Sequence, residues 1–403
     1  MATPNQFNKI LQDYRNLSFS ERDKGDRFER LIQAYLQTDP TYSNTLKYVW
    51  MWNEFPGKKD FGGKDTGIDL VALTFEGDYW AIQCKCFAEN GRINKAEVDS
   101  FLSTSSRDFK NDQLQTVSFS KRIWVSTTNN WSSNAEETIK NQNPPVTRIN
   151  LTDLQQAPVE WERLQKGITG DLARTDKKTL FKHQEEALNK THEHFKENDR
   201  GKLIMACGTG KSLVSLWVAE QIKPQSILVL LPSLALVRQI LKEWCYETSF
   251  TSSSYICICS DNSVTKNMDA FTSDLSFPVT TDTDELASYL NDTSGTKIVF
   301  STYQSAKVVA KATKNNFIFD FGVFDEAHKT AGREGKKFSF ALNDENIKIK
   351  KRLFLTATPK HYSIRKNNDS FEDNPVYSMD KEDIYGRISY KLTFAEAAKK
   401  GII

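Results

Sequence analysis

Long apolar runs are missing from this sequence. The longest apolar stretch covers residues 227–237 and is interrupted by Pro232 and Ser233. It has about half of the roughly 20 residues that a helix needs to cross a bilayer. The amino-terminal residues 1–16 are polar and amphipathic, without the apolar segment of a signal peptide. The sequence therefore gives no indication of export or of membrane insertion.

Cysteine pairs of the metal-binding type are also missing. The six cysteines include no CxxC pair and have no histidine at zinc-finger spacing. Cys84 and Cys86, like Cys257 and Cys259, are two residues apart, which places each pair on one face of a strand. We therefore expect reduced, buried thiols rather than metal ligands, and a cytoplasmic location.

An excess of one charge sign is absent as well. The 403-residue chain has 54 Lys and Arg against 52 Asp and Glu, a net charge of +2. The overall charge thus identifies no partner, and a surface that binds nucleic acid would have to be a local patch. The apolar share of 38%, without repeats or low-complexity tracts, indicates two or three folded domains.

Two successive α/β patterns are present. The first has a helical stripe within residues 7–36, a strand at 45–52, a hairpin at 67–86, a helix at 94–102 and a strand at 122–128. This order of helix, three strands, helix and strand is typical of a compact α/β domain.

The second pattern begins near residue 178, where short, continuous apolar strands alternate with helices. Such strands are typical of a parallel sheet covered on both faces. The stretch between the two patterns is polar and contains three prolines. The sequence therefore predicts a first domain at residues 1–160, a linker at 161–177 and a parallel-sheet domain at 178–403.

Three polar residues lie at the open end of the 67–86 hairpin. With a loop at 76–78, Asp69 lies directly opposite Lys85, and Gln83 shares their face because alternate strand residues point the same way. A two-residue loop would move Asp69 to the other face. The plain alternative is a cross-strand ion pair, which contributes only about a few tenths of a kcal/mol.

The segment MACGTGKS, residues 205–212, follows a predicted strand and opens a predicted helix. This is the context of a phosphate-binding loop, in which backbone N–H groups face an anion. Gly208 and Gly210 let the loop curl around Thr209. Lys211 can reach the β and γ phosphates of ATP, and the Ser212 hydroxyl can bind Mg²⁺.

The segment VFDEAH, residues 323–328, ends another apolar strand. Asp325 can hold Mg²⁺ through water, and Glu326 can orient the water that attacks ATP. A charged strand end is common, but its position one α/β domain after the phosphate loop favours a nucleotide site.

With these two motifs, four further segments resemble the first RecA-like lobe of a superfamily 2 helicase or translocase. They are FKHQ at 181–184, the strand-contacting segments LPSLALVRQ at 231–239 and STYQSA at 301–306, and TATP at 356–359. The resemblance implies that Gln184 contacts adenine. It also implies that His328, Thr356 and Thr358 couple ATP hydrolysis to DNA.

The same resemblance concerns three residues in the strand-contacting segments. It implies that Arg238, Ser301 and Thr302 lie near DNA phosphates. For Arg238 the alternative is a solvated helix face.

The hairpin resembles the Mrr-like branch of the PD-(D/E)xK nucleases, over about residues 20–150. GID ending at Asp69 and the QCK of Gln83 and Lys85 match its motif, with Ile68 in place of proline and Gln83 in place of an acid. The resemblance implies that Asp69 and the helical Glu29 bind Mg²⁺, with Gln83 as a neutral oxygen ligand. Lys85 would position or activate the attacking water.

A nuclease followed by a DNA motor, with FSERDKGDRFERL at 19–31 and SMDKEDIYGRISYKLTFAEAAKKGI at 378–402, resembles the type ISP restriction-modification enzymes. The resemblance implies Mg²⁺-dependent cleavage of double-stranded DNA coupled to ATP-driven translocation. It also implies that a second RecA-like lobe, a methyltransferase and a target-recognition domain follow residue 403. We therefore expect this chain alone to bind ATP weakly and to hydrolyse little of it.

Other functions are compatible with the same residues. The chain could be a type I restriction motor subunit or another phage-defence helicase–nuclease. Because Gln83 replaces an acid, a non-cleaving, DNA-binding helicase scaffold is a further alternative. An RNA helicase is less expected, since Mrr-like domains resemble DNA-cutting enzymes.

Overall fold

The computed structural model describes residues 6–62, 67–88, 90–140, 142–250, 252–260, 272–291, 295–314, 317–333, 338–362 and 376–403. The chain forms two compact units. Unit 1 consists of Met1–Asp176 and Phe271–Pro278, and unit 2 consists of Lys177–Ala270 and Val279–Ile403. Within the described ranges, no helix combines the length and apolar character needed to cross a membrane.

The helices of unit 1 are α1 (Gln6–Leu17), α2 (Glu21–Leu36), α3 (Pro40–Ser43), α4 (Lys95–Ser105), α5 (Ser133–Ile139), α6 (Leu151–Gln155) and α7 (Trp161–Gln165). Its strands are β1 (Leu46–Met51), β2 (Leu70–Thr74), β3 (Tyr79–Lys85), β4 (Phe109–Lys110), β5 (Thr116–Val117), β6 (Phe119–Ser126) and β7 (Val146–Ile149). The main sheet has the order β1-β2-β3-β6-β7. β1, β2 and β3 are antiparallel neighbours, whereas β3, β6 and β7 are parallel. Because parallel neighbours need a crossover, α4 lies between β3 and β6 in the chain.

The helical stripe at 7–36 forms two helices rather than one. Ser20 ends the break between them, because its side chain accepts a hydrogen bond of 3.1 Å from the Asp23 N–H and so caps α2. The buried face of α2 includes Phe28, Leu31 and Ile32, as the periodicity predicts.

The β2–β3 hairpin differs from the predicted register. Leu73 pairs with Tyr79, and the Thr74 N–H donates to the Asp78 carbonyl at 2.9 Å. The loop therefore has the expected three residues but begins one residue earlier, at Phe75, with Gly77 at φ +96°. Continued to the open end, this register places Asp69 opposite Gln83 instead of Lys85. Since the shift is two residues, the predicted face of each strand is unchanged.

The predicted linker at 161–177 is mostly part of unit 1, which extends to Asp176. Trp161 is buried, and its ring lies 4.5 Å from Phe7 and 5.3 Å from Tyr35 between centroids. Leu164 is buried as well. The polar composition of this stretch concealed the apolar contacts that hold it against the helices.

A short segment from the later sequence also belongs to unit 1. Leu275, Ser276 and Phe277 are buried, and the Ser276 hydroxyl donates to Asp153 Oδ1 at 2.6 Å. The backbone of Ser276 has φ +58°, a left-handed conformation that costs a non-glycine residue about 1–2 kcal/mol. Phe277 meets Trp80 of β3 edge-on at 6.3 Å. Buried polar and aromatic contacts therefore hold this segment in place.

The helices of unit 2 are α8 (Lys182–Glu197), α9 (Lys211–Ile222), α10 (Leu234–Glu247), α11 (Thr283–Asn291), α12 (Ala306–Ala312), α13 (Glu382–Tyr385) and α14 (Phe394–Lys399). Its strands are β8 (Arg200–Met205), β9 (Ser226–Leu231), β10 (Ser253–Ile258), β11 (Val279–Thr280), β12 (Thr296–Thr302), β13 (Phe319–Phe324), β14 (Gly332–Arg333), β15 (Ile349–Thr356), β16 (Val376–Tyr377) and β17 (Arg387–Leu392). The large sheet has the order β11-β10-β12-β9-β13-β15-β8-β17, and its neighbours are all parallel.

This sheet confirms the predicted parallel-sheet domain. All six residues of β9 are buried, as expected of a strand covered on both faces. The carboxyl ends of parallel strands meet at one edge of the sheet. Because β13, β15 and β8 are neighbours, the residues that follow or end them are brought together there.

Candidate active sites

A cleft of about 720 Å³ in unit 1 contains all four residues predicted for a nuclease site. Glu29 comes from α2, Asp69 directly precedes β2, and Gln83 and Lys85 lie at the end of β3. Burial raises the pKa of the Cys84 thiol between them, and the charges of Asp69 and Glu29 raise it further. Helix and hairpin thus bring these groups together from distant parts of the sequence.

Backbone hydrogen bonds fix Asp69. Its N–H donates to the Ile82 carbonyl at 2.9 Å, and its carbonyl accepts from the Trp52 N–H at 2.7 Å. The carboxylate oxygen Oδ2 accepts from the Cys84 N–H at 2.7 Å. The carboxylate is therefore held at the open end of the β2–β3 ladder.

Gln83 is buried and bonds to the same carboxylate oxygen. Its side-chain nitrogen Nε2 donates to Asp69 Oδ2, while its oxygen Oε1 lies on the side of Gly67. In this orientation Gln83 supports Asp69 as a donor and turns its oxygen away from it. A half-turn of the amide about its last torsion would exchange nitrogen and oxygen.

Lys85 is partly exposed at the end of β3. Among the described residues, none forms an ion pair or hydrogen bond with its ammonium. The cross-strand ion pair with Asp69, the plain alternative, is therefore not formed within the described part of the chain. The ammonium is available to a ligand.

Four further charged residues in this cleft, Glu21, Arg22, Asp26 and Lys58, were not predicted to belong to the site. Asp26 and Arg22 lie about one and two turns before Glu29 on α2, Glu21 begins this helix, and Lys58 belongs to the β1–β2 connection. Helical spacing back from Glu29 could have identified Asp26 and Arg22. No described group of three or more His, Cys, Asp or Glu is placed to hold a metal ion. The cleft is lined by the carboxylates of Asp69, Glu29, Asp26 and Glu21 and by the amides of Gln83 and Asn53. Their oxygens are hard donors of the kind that Mg²⁺ prefers.

A second cleft, of about 680 Å³, lies in unit 2 around the predicted phosphate loop. The loop follows β8, and Gly208 and Gly210 have φ of +81° and +84°. α9 begins at Lys211, so the helix amino terminus faces the cleft that Lys211 and Ser212 line. Thr209 closes the turn through its hydroxyl, which donates to the Ala206 carbonyl at 2.7 Å. This is the geometry of an anion site.

Gln184 lies against the phosphate loop. Its Oε1 accepts from the Phe181 N–H at 3.0 Å, and its Nε2 donates to the Thr209 carbonyl at 3.2 Å. His183 also contacts this carbonyl, at 3.1 Å, and its ring stacks on Phe181. Phe181 is 67% exposed in the cleft, so it offers an apolar face for a base. Phe181 was not predicted to contact a ligand, although an aromatic residue three positions before Gln184 was a usable signal in the sequence.

Asp325 and Glu326 follow β13 and line the same cleft. Burial, with Glu326 beside it, raises the pKa of Asp325 to about 6. Glu326 has φ +48°, a left-handed conformation rare outside glycine. Strain of this kind is concentrated at functional sites.

His328 joins this motif to the end of β15. Its Nδ1 lies 3.2 Å from the Thr356 hydroxyl and 3.2 Å from Glu326 Oε2. The Thr358 N–H donates to the same Thr356 hydroxyl at 3.2 Å. Burial lowers the pKa of His328 below its usual range, so its ring is neutral near pH 7. A continuous polar chain thus connects Glu326 to the TATP segment.

Ser301 and Thr302 end β12 and use their side chains in internal hydrogen bonds. Both side chains are fully buried. The Ser301 hydroxyl donates to the Ile258 carbonyl at 3.1 Å, and Thr302 Oγ1 accepts from the Ser305 N–H at 3.3 Å. These hydroxyls hold the end of β12 and the turn after it, and the predicted position of Ser301 and Thr302 near DNA phosphates stays a prediction. Arg238 is partly exposed on α10, and its predicted role stays a prediction.

Two family models match the chain. One, described as a restriction endonuclease, matches residues 37–170, and the other, described as the res subunit of a type III restriction enzyme, matches residues 177–361. The first match contains Asp69, Gln83 and Lys85 but not Glu29. The second contains the nucleotide motifs from Gln184 to the TATP segment.

Individual proteins resemble the chain over most of its length. The probable helicase A859L of African swine fever virus (isolate Pig/Kenya/KEN-50/1950) is 25% identical over 91% of this chain and 38% of its own. The ATP-dependent type ISP restriction-modification enzyme LlaBIII, solved bound to DNA, is 31% identical over 97% of this chain and 25% of its own, with a TM-score of 0.75. A nuclease-deletion mutant of the type ISP enzyme LlaGI, solved with a DNA substrate mimic, is 35% identical over 56% of this chain and 21% of its own, with a TM-score of 0.44.

The chain thus spans between about a fifth and two fifths of the length of these relatives. Its order of domains follows from the two family matches, and its fold follows from the structural match to LlaBIII. The chain therefore contains a region that matches a restriction-endonuclease model of the Mrr type, followed by a region that matches the helicase-type res subunit model, and it resembles the type ISP restriction-modification enzyme LlaBIII in structure.

Proposed function

We propose that unit 1 cleaves double-stranded DNA with Mg²⁺ and that unit 2 is the first RecA-like, ATP-binding lobe of a motor that moves along DNA. One observation carries the nuclease part of this proposal. Glu29, Asp69 and Lys85 reach one cleft, and no described residue pairs with the Lys85 ammonium. A purely structural lysine at a hairpin end would be expected to pair with the nearby acid.

The chemistry follows from the donors in the cleft. A bound Mg²⁺ would neutralise charge on the scissile phosphate and lower the pKa of the attacking water. Asp69 and Glu29 would hold the ion through carboxylate oxygens. Gln83 would contribute its oxygen only after a half-turn of its amide. Lys85 would hydrogen-bond the attacking water or a phosphate oxygen and so position it.

In unit 2, the phosphate loop and the amino terminus of α9 would hold the phosphates of ATP, with Lys211 at the β and γ groups. Ser212 and Asp325 would hold the Mg²⁺ that accompanies ATP. Glu326 would orient the attacking water. His328 would carry the nucleotide state to the TATP segment through its contact with Thr356.

Directed cutting would need partner domains that act with units 1 and 2 of this chain. By its likeness to type ISP enzymes, we propose a second RecA-like lobe, a methyltransferase and a target-recognition domain as its partners. ATP hydrolysis by a superfamily 2 motor takes place between two lobes. Restriction of incoming DNA would occur in the cytoplasm, where the six thiols would stay reduced.

Nicking of supercoiled plasmid DNA with Mg²⁺ or Mn²⁺ tests the nuclease. We expect nicking by the unaltered chain and its loss in Asp69→Ala and Lys85→Ala. Glu76→Ala is the matched control, because Glu76 is exposed in the hairpin loop outside the cleft. Equal nicking by all four proteins would reject the proposed site.

A non-cleaving scaffold is the second candidate, and the Gln83 amide favours it. Its nitrogen bonds to Asp69 and so occupies the carboxylate that a metal ion would need. Under this alternative, the unaltered chain binds DNA without nicking, and Gln83→Glu, which restores an acid, gains activity. Nicking by the unaltered chain would exclude it.

A further inference from the structure

The β1–β2 connection, residues 52–62, forms one wall of the nuclease cleft and contains two adjacent lysines. Lys58 lines the cleft together with Asn53, whereas Lys59 is exposed outside it. Neither lysine belongs to the predicted nuclease motif or to the nucleotide motifs. The two lysines are adjacent in sequence, but only Lys58 lines the cleft.

The backbone that carries Lys58 is held tightly. Phe55 and Phe61 are buried on either side of it. A Cβ on Gly57 would lie 2.7 Å from the Phe55 ring and 2.9 Å from Phe109, so only glycine allows this approach. Asp60 Oδ2 accepts from the Lys110 N–H at 2.6 Å. The connection is thus packed on a buried aromatic cluster, which fixes the backbone position of Lys58 at the cleft.

Within the described residues, Lys58 has one polar partner. Its ammonium donates to Asn53 Oδ1 at 2.5 Å, and no described carboxylate lies within ion-pair distance. Asn53 is neutral and leaves the positive charge uncompensated. A lysine oriented by a neutral amide, in a cleft that also holds Asp69 and Glu29, is suited to bind an anion from outside.

Electrostatics give a reason for such a cation. The carboxylates Asp69 and Glu29 repel the phosphates of DNA unless nearby cations offset their charge. Lys85 is expected to act at the reacting phosphate. We propose that Lys58 binds a DNA phosphate beside the scissile one and so positions the backbone in the cleft. This inference rests on the proposed nuclease function of the same cleft.

Equilibrium binding of a short DNA duplex, measured without divalent metal at several salt concentrations, tests the proposal independently of cleavage. Each phosphate contact adds about 0.9 to the slope of log affinity against log salt. We expect Lys58→Ala to reduce this slope by about 0.9 and to weaken binding about eightfold at 0.1 M salt. Lys59→Ala is the matched control, and it should change the slope and the affinity less than Lys58→Ala does.

Two further measurements separate phosphate binding from a structural role. Lys58→Arg keeps the charge and should restore the slope, whereas Lys58→Gln should not. In nicking assays, Lys58→Ala should raise KM with a smaller change in kcat, since Lys85 and Asp69 remain. Equal slopes for Lys58→Ala and Lys59→Ala would overturn the proposal. A lower slope in a chain that does not nick would support the phosphate contact and reject the nuclease function.

Discussion

The ATP cleft of unit 2 takes most of its phosphate-binding groups from one continuous stretch, residues 205–212. The nuclease cleft of unit 1 instead gathers its groups from a helix, a pre-strand residue and a strand, between Glu29 and Lys85. A continuous loop carries its geometry in its own glycines and in the helix that follows. A dispersed site depends on strand register and on which helix face packs on the sheet. The phosphate loop can therefore be identified from the sequence, whereas the arrangement of the nuclease cleft can be seen only in the folded structure.

The largest expected effect tests whether the two clefts work independently. We expect Asp69→Asn to lower nicking at least a hundredfold, because an amide removes the charge that holds Mg²⁺. It should leave the binding of a fluorescent ATP analogue unchanged. Lys211→Ala should weaken the binding of the ATP analogue and should leave nicking, measured without ATP, unchanged. Loss of both activities in either variant would contradict the separation.

Acid titration of unit 2 is the next effect in size. Asp325 has a pKa of about 6 in the folded chain against an ordinary 3.8, so between about pH 4 and 6 the folded chain binds more protons than the unfolded one. Stability should therefore fall as the pH rises through this window, by at most about 3 kcal/mol. Asp325→Asn should flatten this part of the stability curve, as measured by urea unfolding. An unchanged slope would remove Asp325 as its cause.

The two glycines of the phosphate loop separate backbone strain from contact. Both have positive φ, but a Cβ on Gly210 would meet the Gln184 amide nitrogen, whereas one on Gly208 has only Ile403 within 4 Å, at 3.8 Å. We expect Gly208→Ala to weaken ATP binding by the backbone cost of about 1–2 kcal/mol. Gly210→Ala should reduce the affinity for ATP several-fold more than Gly208→Ala does. Calorimetry gives both values, and equal losses would show that the close approach of Gln184 does not matter.

The smallest expected effect is the loss of stability when a single hydrogen bond is removed, and one long-range and one local bond can be compared. Ser276→Ala removes the donor to the buried Asp153, at a cost of about 1–2 kcal/mol. Ser233→Ala removes the cap that accepts from the Leu236 N–H at 3.4 Å, at a cost of about 1 kcal/mol. Hydrogen exchange should show lower protection in β7 and α6 for the first and in α10 for the second. Exchange confined to the 272–278 segment would show that this segment does not stabilise unit 1.

Register is the clearest example of what sequence left undetermined. The number of loop residues in the hairpin was predicted correctly, but its position was one residue too late. The face of Asp69 survived because a shift of one residue in each strand preserves alternation. The predicted cross-strand partner of Asp69 was wrong, since Gln83 rather than Lys85 lies beside its carboxylate. Turn residues such as Glu76 and Gly77 suit both positions, and cross-strand packing decides between them.

The sequence by itself determined the two successive α/β patterns and the loop at residues 205–212, and it identified Asp69, Gln83 and Lys85 as candidate site residues, because each inference depends on periodicity or on a short motif. Only the tertiary structure decided which hydroxyls are buried, as at Ser301, and which ammonium is unpaired, as at Lys85. It also decided that residues 161–176 and 271–278 pack in unit 1. Burial and pairing depend on residues far apart in the chain, and no local pattern records which of these meet.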